Sequence, residues 1–185
     1  MIKKIILLSG DPNSINSELI FKSWKKINNK LKKKIYLISN YNLINKQFRK
    51  LNYKIKTIKV KSIDDKIKTN ELKILNIDLN SKKTFDISKK LASKFIKESL
   101  DLAHELASTK KRCGIINCSI DKKLFKKKNI GVTEYLSLKC GIKDKSETML
   151  IFNKELAVSP ITIHDDLKNI SKKITKKKII IKVKI

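Results

Sequence analysis

Short apolar runs bounded by turn residues alternate with stretches whose apolar residues recur at helical spacing. That alternation restricts the fold more than any other feature of the sequence. Lys3 to Ser9 (KKIILLS) is a compact apolar run closed by Gly10, the pattern of a buried strand. Ile15, Leu19, Ile20, Trp24, Ile27 and Leu31 then recur every three or four residues with lysines between them, which predicts an amphipathic helix. Lys34 to Ser39 predicts a second strand and Asn42 to Leu51 a short helix. Lys54 to Val60 and Lys73 to Leu79 predict two more strands across a charged loop. From Ile87 to Ser108, a stripe of Ile87, Leu91, Phe95, Leu102 and Leu106 predicts the longest helix, followed by a strand at Cys113 to Asn117. Thr148 to Phe152 and Leu156 to Ile163 predict a strand pair, Asp165 to Ile174 a helix with acidic residues in its first turn, and Lys178 to Ile185 a final strand. Strands alternating with helices predict an α/β fold with a largely parallel sheet and flanking helices. The turns at the carboxyl ends of its strands are then the places to look for ligands.

Composition narrows the function classes. The 185 residues hold no apolar run long enough to cross a bilayer, so no membrane role is expected. The opening MIKKIILLSG lacks a small-residue cleavage site and reads as a first strand, which predicts a cytoplasmic protein. Cys113, Cys118 and Cys140 make an odd set without CxxC spacing, the pattern of idle thiols rather than of a disulfide framework or zinc ribbon. The formal charge is +28, yet of the 45 basic residues only Arg49 and Arg112 are arginine. Nucleic-acid readers depend on the bidentate arginine fork. Here the lysines are scattered and accompany abundant isoleucine and asparagine, as codons rich in A and T dictate. No specific nucleic-acid partner is expected, only weak attraction to polyanions.

Three turns hold residues suited to chemistry. Ser9 to Glu18 (SGDPNSINSE) joins the first strand to the first helix, with Gly10 for a tight turn and Asn16 or Ser17 as cap, but without a phosphate-loop spacing. Lys122 follows the strand at Cys113 to Asn117, and Thr133-Glu134 opens a helix; an ammonium and a hydroxyl there could both hold a phosphate. His164 ends a strand beside Asp165-Asp166, where neighbouring carboxylates could orient it toward a metal. His104, mid-helix, reads as packing or surface.

In this order and at these separations the segments resemble the 4-hydroxythreonine-4-phosphate dehydrogenase family of pyridoxal phosphate biosynthesis. Gly10-Asp11-Pro12, Ile15 and Glu18 match its opening GDPAGIGPE turn, while Asn13, Ser14, Asn16 and Ser17 depart from it. Asn117-Cys118-Ser119-Ile120-Asp121-Lys122 keeps the lysine of the family's next turn. Gly131-Val132-Thr133-Glu134-Tyr135-Leu136 keeps its Gly-His-Thr-Glu helix start except for the histidine, which is Val132 here. Met149-Leu150-Ile151 matches an apolar strand, and Val158, Thr162, His164, Leu167 and Lys168 match the run that follows.

The resemblance implies an isocitrate/isopropylmalate dehydrogenase-like fold. Residues 1–128 would form a first α/β domain, and 129–185 the beginning of a second, cleft-forming domain left incomplete at the C-terminus. It implies NAD-dependent oxidation and decarboxylation of 4-phosphooxy-L-threonine to 3-amino-2-oxopropyl phosphate, with a divalent metal (zinc, magnesium or cobalt) as Lewis acid, in a homodimer. By the family pattern His164 is one of three histidine metal ligands, Thr133 contacts the phosphorylated substrate, Val132 occupies a substrate-binding histidine position, and Lys122 and Glu134 neighbour the site. The family's other two metal histidines have no counterpart here, so a truncated chain with weak or absent catalysis of its own is expected. Two alternatives stay open: a non-catalytic basic α/β binding protein with polyanion affinity, and a small enzyme of another reaction using Lys122, Thr133 and His164.

Overall fold

The computed structural model describes residues 3–65, 67, 69–109, 113–125, 131–142, 147–162 and 166–183. The chain forms two compact units, Met1–Gly131 and Val132–Ile185.

The first unit is a five-stranded sheet in the order β3-β4-β2-β1-β5, every neighbouring pair parallel. Its strands are β1 (Lys4–Leu8), β2 (Ile35–Ser39), β3 (Thr57–Val60), β4 (Leu72–Asn76) and β5 (Cys113–Asn117). The central strands are continuous apolar runs because both faces of a parallel sheet are covered. All five residues of β2 are buried. On one face, Ile35, Leu37, Leu72 and Ile74 pack against Ile20, Phe21 and Trp24 of α1 (Asn16–Lys26) and Ile44 and Phe48 of α3 (Tyr41–Lys50). Strand alternation turns Ile6, Leu8 and Ile38 to the other face. There α4 (Lys89–Thr109), which contacts β1, β2 and β5, buries Ala92, Phe95, Ile96, Leu100 and Ala103.

Lys73 is the exception in this core. It is 1% exposed on β4, with its ammonium 4.3 Å from the Tyr36 ring centroid and donating to the carbonyl of Lys33, the residue that closes the short helix α2 (Asn29–Lys32). A cation satisfying a terminal helix carbonyl has a structural role. Burial, reinforced by Lys4, pushes its pKa below the usual lysine value.

Several sequence expectations change in detail. Ile15 and Leu19 are exposed, and the buried face of α1 runs through Asn16, Ser17, Ile20, Phe21 and Trp24. The helix expected to continue to Leu31 breaks at Ile27, because Asn28 caps a new helix by accepting from the Leu31 N–H at 2.9 Å. The buried line of α4 is shifted toward small residues, leaving Leu91, Leu102 and Leu106 half-buried, since alanine and serine let the helix approach the sheet.

The second unit holds α5 (Val132–Lys139), a two-residue antiparallel ladder of β6 (Ile151–Phe152) and β7 (Ala157–Val158), α6 (Ile170–Lys173) and α7 (Lys176–Val183). The final strand expected from Lys178 is instead the helix α7. Thr175 starts it, accepting from the Ile179 N–H through its carbonyl (3.0 Å) and from the Lys178 N–H through its hydroxyl (3.2 Å). A lone strand would leave its backbone unpaired, whereas a helix pairs it internally. Apolar side chains of this unit stand in solvent: Phe152 is 72% exposed, Val183 79% and Leu167 88%. Among the described residues no helix is long and apolar enough to cross a membrane.

Candidate functional site

The turns after β1 and β5 form one knot at the carboxyl edge of the sheet. Gly10 has φ +70°, which glycine adopts without a Cβ penalty. A Cβ there would lie 2.5 Å from the Ser119 carbonyl and 2.6 Å from Asn16 Nδ2, so the position also excludes any side chain by contact. The Ser119 carbonyl accepts from the Asp11 N–H (3.0 Å) and from Asn16 Nδ2 (2.7 Å). The Asp11 carboxylate accepts from the Asn13 N–H at 2.9 Å, closing an Asx turn.

Asn13 reaches across to Ile87, donating through Nδ2 to its carbonyl (2.8 Å) and accepting its N–H through Oδ1 (2.7 Å). Gln47 donates to the carbonyls of Pro12 (2.8 Å) and Thr84 (3.0 Å). Three segments distant in sequence are thus held by side-chain amides, and Gln47 among them is buried and so costly to leave unpaired. Asn16 is 2% exposed, and its Oδ1 has no partner among the described residues.

The β5 turn continues through Asp121, whose carboxylate caps a short 3-10 turn at Lys122–Leu124 by accepting from the Lys123 N–H. Leu124 is buried and its carbonyl accepts from the Ser93 hydroxyl of α4 (2.6 Å), which anchors the turn and leaves Lys122 exposed beside it. Cys118, between Asn117 and Ser119, is half-buried, and burial pushes its thiol up to about 11. It is protonated and unreactive at neutral pH.

The sequence-derived candidates fall into separate groups. Val132, Thr133 and Glu134 share the first turn of α5 in the second unit, with Thr133 exposed and the other two half-buried. Lys122 belongs to the first unit. His164 and Asp165 lie outside the described residues. Among the described residues no three His, Cys, Asp or Glu side chains converge as metal donors, so these residues alone do not compose a metal centre. Sequence reasoning missed the amide network of Asn13, Asn16 and Gln47. For Asn16 and Gln47 the only local signal was a polar residue on an otherwise apolar helix face, and Asn13 lies in the turn before α1.

A parallel sheet with its polar turns drawn together at the strand ends defines an α/β protein of the type that takes ligands at that edge. Residues 13–185 match the model of the family described as pyridoxal phosphate biosynthetic protein PdxA, and the chain belongs to that family. No individual curated protein sequence matches it significantly. Among solved structures, the fold is similar to a 4-hydroxythreonine-4-phosphate dehydrogenase from Burkholderia phymatum (TM-score 0.86, 17% identity, 100% of this chain and 57% of that one). It is also similar to the 4-hydroxythreonine-4-phosphate dehydrogenase from Klebsiella pneumoniae (TM-score 0.82, 15% identity, 98% and 57%). The chain therefore spans little more than half the length of these structures.

Proposed function

We propose that this chain is the substrate-binding portion of a 4-hydroxythreonine-4-phosphate dehydrogenase, an oxidoreductase of pyridoxal phosphate biosynthesis. The family match over residues 13–185 carries the reading. In it, the Thr133 hydroxyl hydrogen-bonds 4-phosphooxy-L-threonine at the start of α5. Lys122, exposed in the first unit, is a separate candidate to hold a phosphate as a point charge. Glu134 stands in the same helical turn as Thr133. Val132 has no hydrogen-bonding atom in its side chain, so a contact made by histidine in the family is missing or comes from another group. NAD supplies a hydride acceptor when bound, and a divalent metal a Lewis acid. Of the family's three histidine ligands the chain has one counterpart, His164, and one imidazole does not make a catalytic metal site.

The test is a calorimetric titration of the purified chain with 4-phosphooxy-L-threonine, run beside an assay of NADH formation with NAD and divalent metal. The expected result is saturable substrate binding, weakened about tenfold in Thr133→Val by loss of one hydrogen bond to a polar ligand, with weak or absent turnover. No substrate binding would overturn the reading. Full turnover would overturn the assignment of this chain to substrate binding alone.

A further inference from the structure

The outer side of α3 borders a cleft of about 500 Å³ that no part of the proposed dehydrogenase reading uses. It lies between α3 and the segment leading into the edge strand β3, and its lining includes Tyr41, Asn45, Lys46, Arg49, Tyr53 and Ile55. Its size falls in the range of small-molecule sites. The lining mixes two cations with apolar and aromatic surface, and it includes no carboxylate. Lys46 and Arg49 are three residues apart on the helix and so share a face, and both are exposed. Arg49 is the one arginine among the described residues of a chain that otherwise uses lysine almost throughout. Its planar fork suits a phosphate in a way that a lysine does not.

The walls are preformed. Tyr53 stacks on Phe21 with centroids 4.2 Å apart and planes 8° from parallel, and its N–H donates to the Phe48 carbonyl at 2.8 Å. Asn45 joins the two walls, donating to the Tyr41 carbonyl (2.8 Å) and accepting from the Thr57 hydroxyl (2.9 Å). The Tyr41 N–H is held by the Asn76 side chain at 2.9 Å. A rigid aromatic wall beside two cations favours a ligand with a flat ring and a compact anion. A neighbouring cleft of about 340 Å³ shares Lys46 but includes Asp78, which disfavours an anion there.

We propose that the α3 cleft binds a planar aromatic heterocycle bearing a phosphate monoester, with the phosphate on Arg49 and Lys46 and the ring against Tyr41 and Tyr53. This chemistry is shared by nucleotides and by phosphorylated pyridines. The site is independent of Lys122, Thr133 and His164, so its failure leaves the dehydrogenase reading standing, and the reverse also holds.

The experiment is calorimetric titration of the whole chain at physiological salt with AMP, with pyridoxine 5′-phosphate and with ribose 5-phosphate. Pyridoxine 5′-phosphate lacks the aldehyde that would modify surface lysines. The expected result is one-to-one saturation by at least one aromatic phosphate, about tenfold or more tighter than ribose 5-phosphate. AMP against pyridoxine 5′-phosphate tells the two sources apart. Arg49→Ala and Lys46→Ala should each weaken binding about tenfold, while Lys97→Ala on exposed α4 surface should not. Both cleft cations are solvent-exposed, so these variants keep the fold. Equal binding of ribose 5-phosphate, an unchanged Arg49→Ala, or no saturable binding of either aromatic phosphate would each overturn the proposal.

Discussion

Gly10 carries more of the architecture than its size implies. Its positive φ and the absence of a Cβ let the first turn lie directly on the Ser119 carbonyl. Gly10→Ala should destabilise the chain by about 2 kcal/mol or more, read as a lower urea midpoint; an unchanged midpoint would mean that the two turns separate at little cost. Lys73 gives a test of opposite character. Its folded pKa is lowered, so between that value and the ordinary 10.5 the unfolded chain binds the extra proton. Stability from this residue therefore rises with pH through that alkaline window, below which the folded chain carries the cost of its buried charge. In Lys73→Met that increment should vanish, so urea midpoints of the variant and the parent should respond differently to pH below 10.5. Parallel profiles would show that Lys73 is not desolvated. At this scale the sequence was a poor guide: nothing local distinguishes Lys73 from the other lysines, or Asn16 from an ordinary cap.

Elements were far more legible. The runs KIILL and IYLIS could be read as buried strands because a parallel sheet leaves neither face for polar residues. Their neighbours in the sheet could not, since pairing depends on residues far apart in the chain. The α7 segment misled because its isoleucines favour strands, while the Thr175 start and the lack of a pairing partner among the described residues favour a helix. The match to family motifs singles out Thr133 and Lys122 as candidates, where composition and spacing alone would have left only a lysine-rich helix start. Caps decide where helices begin, and they can be ranked. Asn40 accepts from the Leu43 N–H and also donates to the Ile77 carbonyl, both at 2.9 Å, and is 7% exposed. Asn28 makes only an exposed cap. Asn40→Ala should cost about 2 kcal/mol and Asn28→Ala about 1 or less, compared by chemical denaturation. Equal losses would mean that the bond to Ile77 adds nothing.

For the whole molecule, the charge of +28 dictates attraction to any polyanion. Because the lysines are scattered, binding to random-sequence duplex DNA should fall steeply between about 50 and 200 mM salt and show no sequence preference, as filter binding or fluorescence anisotropy would report. Retained, sequence-dependent affinity at the higher salt would favour the basic binding protein over the dehydrogenase. The sheet order has a consequence for how the chain is made. β1 lies between β2 and β5, so one flank of β1 is closed only by a strand that begins much later in the chain, at Cys113. At ribosomal speeds that flank stays open for on the order of ten seconds. For that interval a run of isoleucine and leucine presents unpaired backbone, a template on which other nascent chains could aggregate.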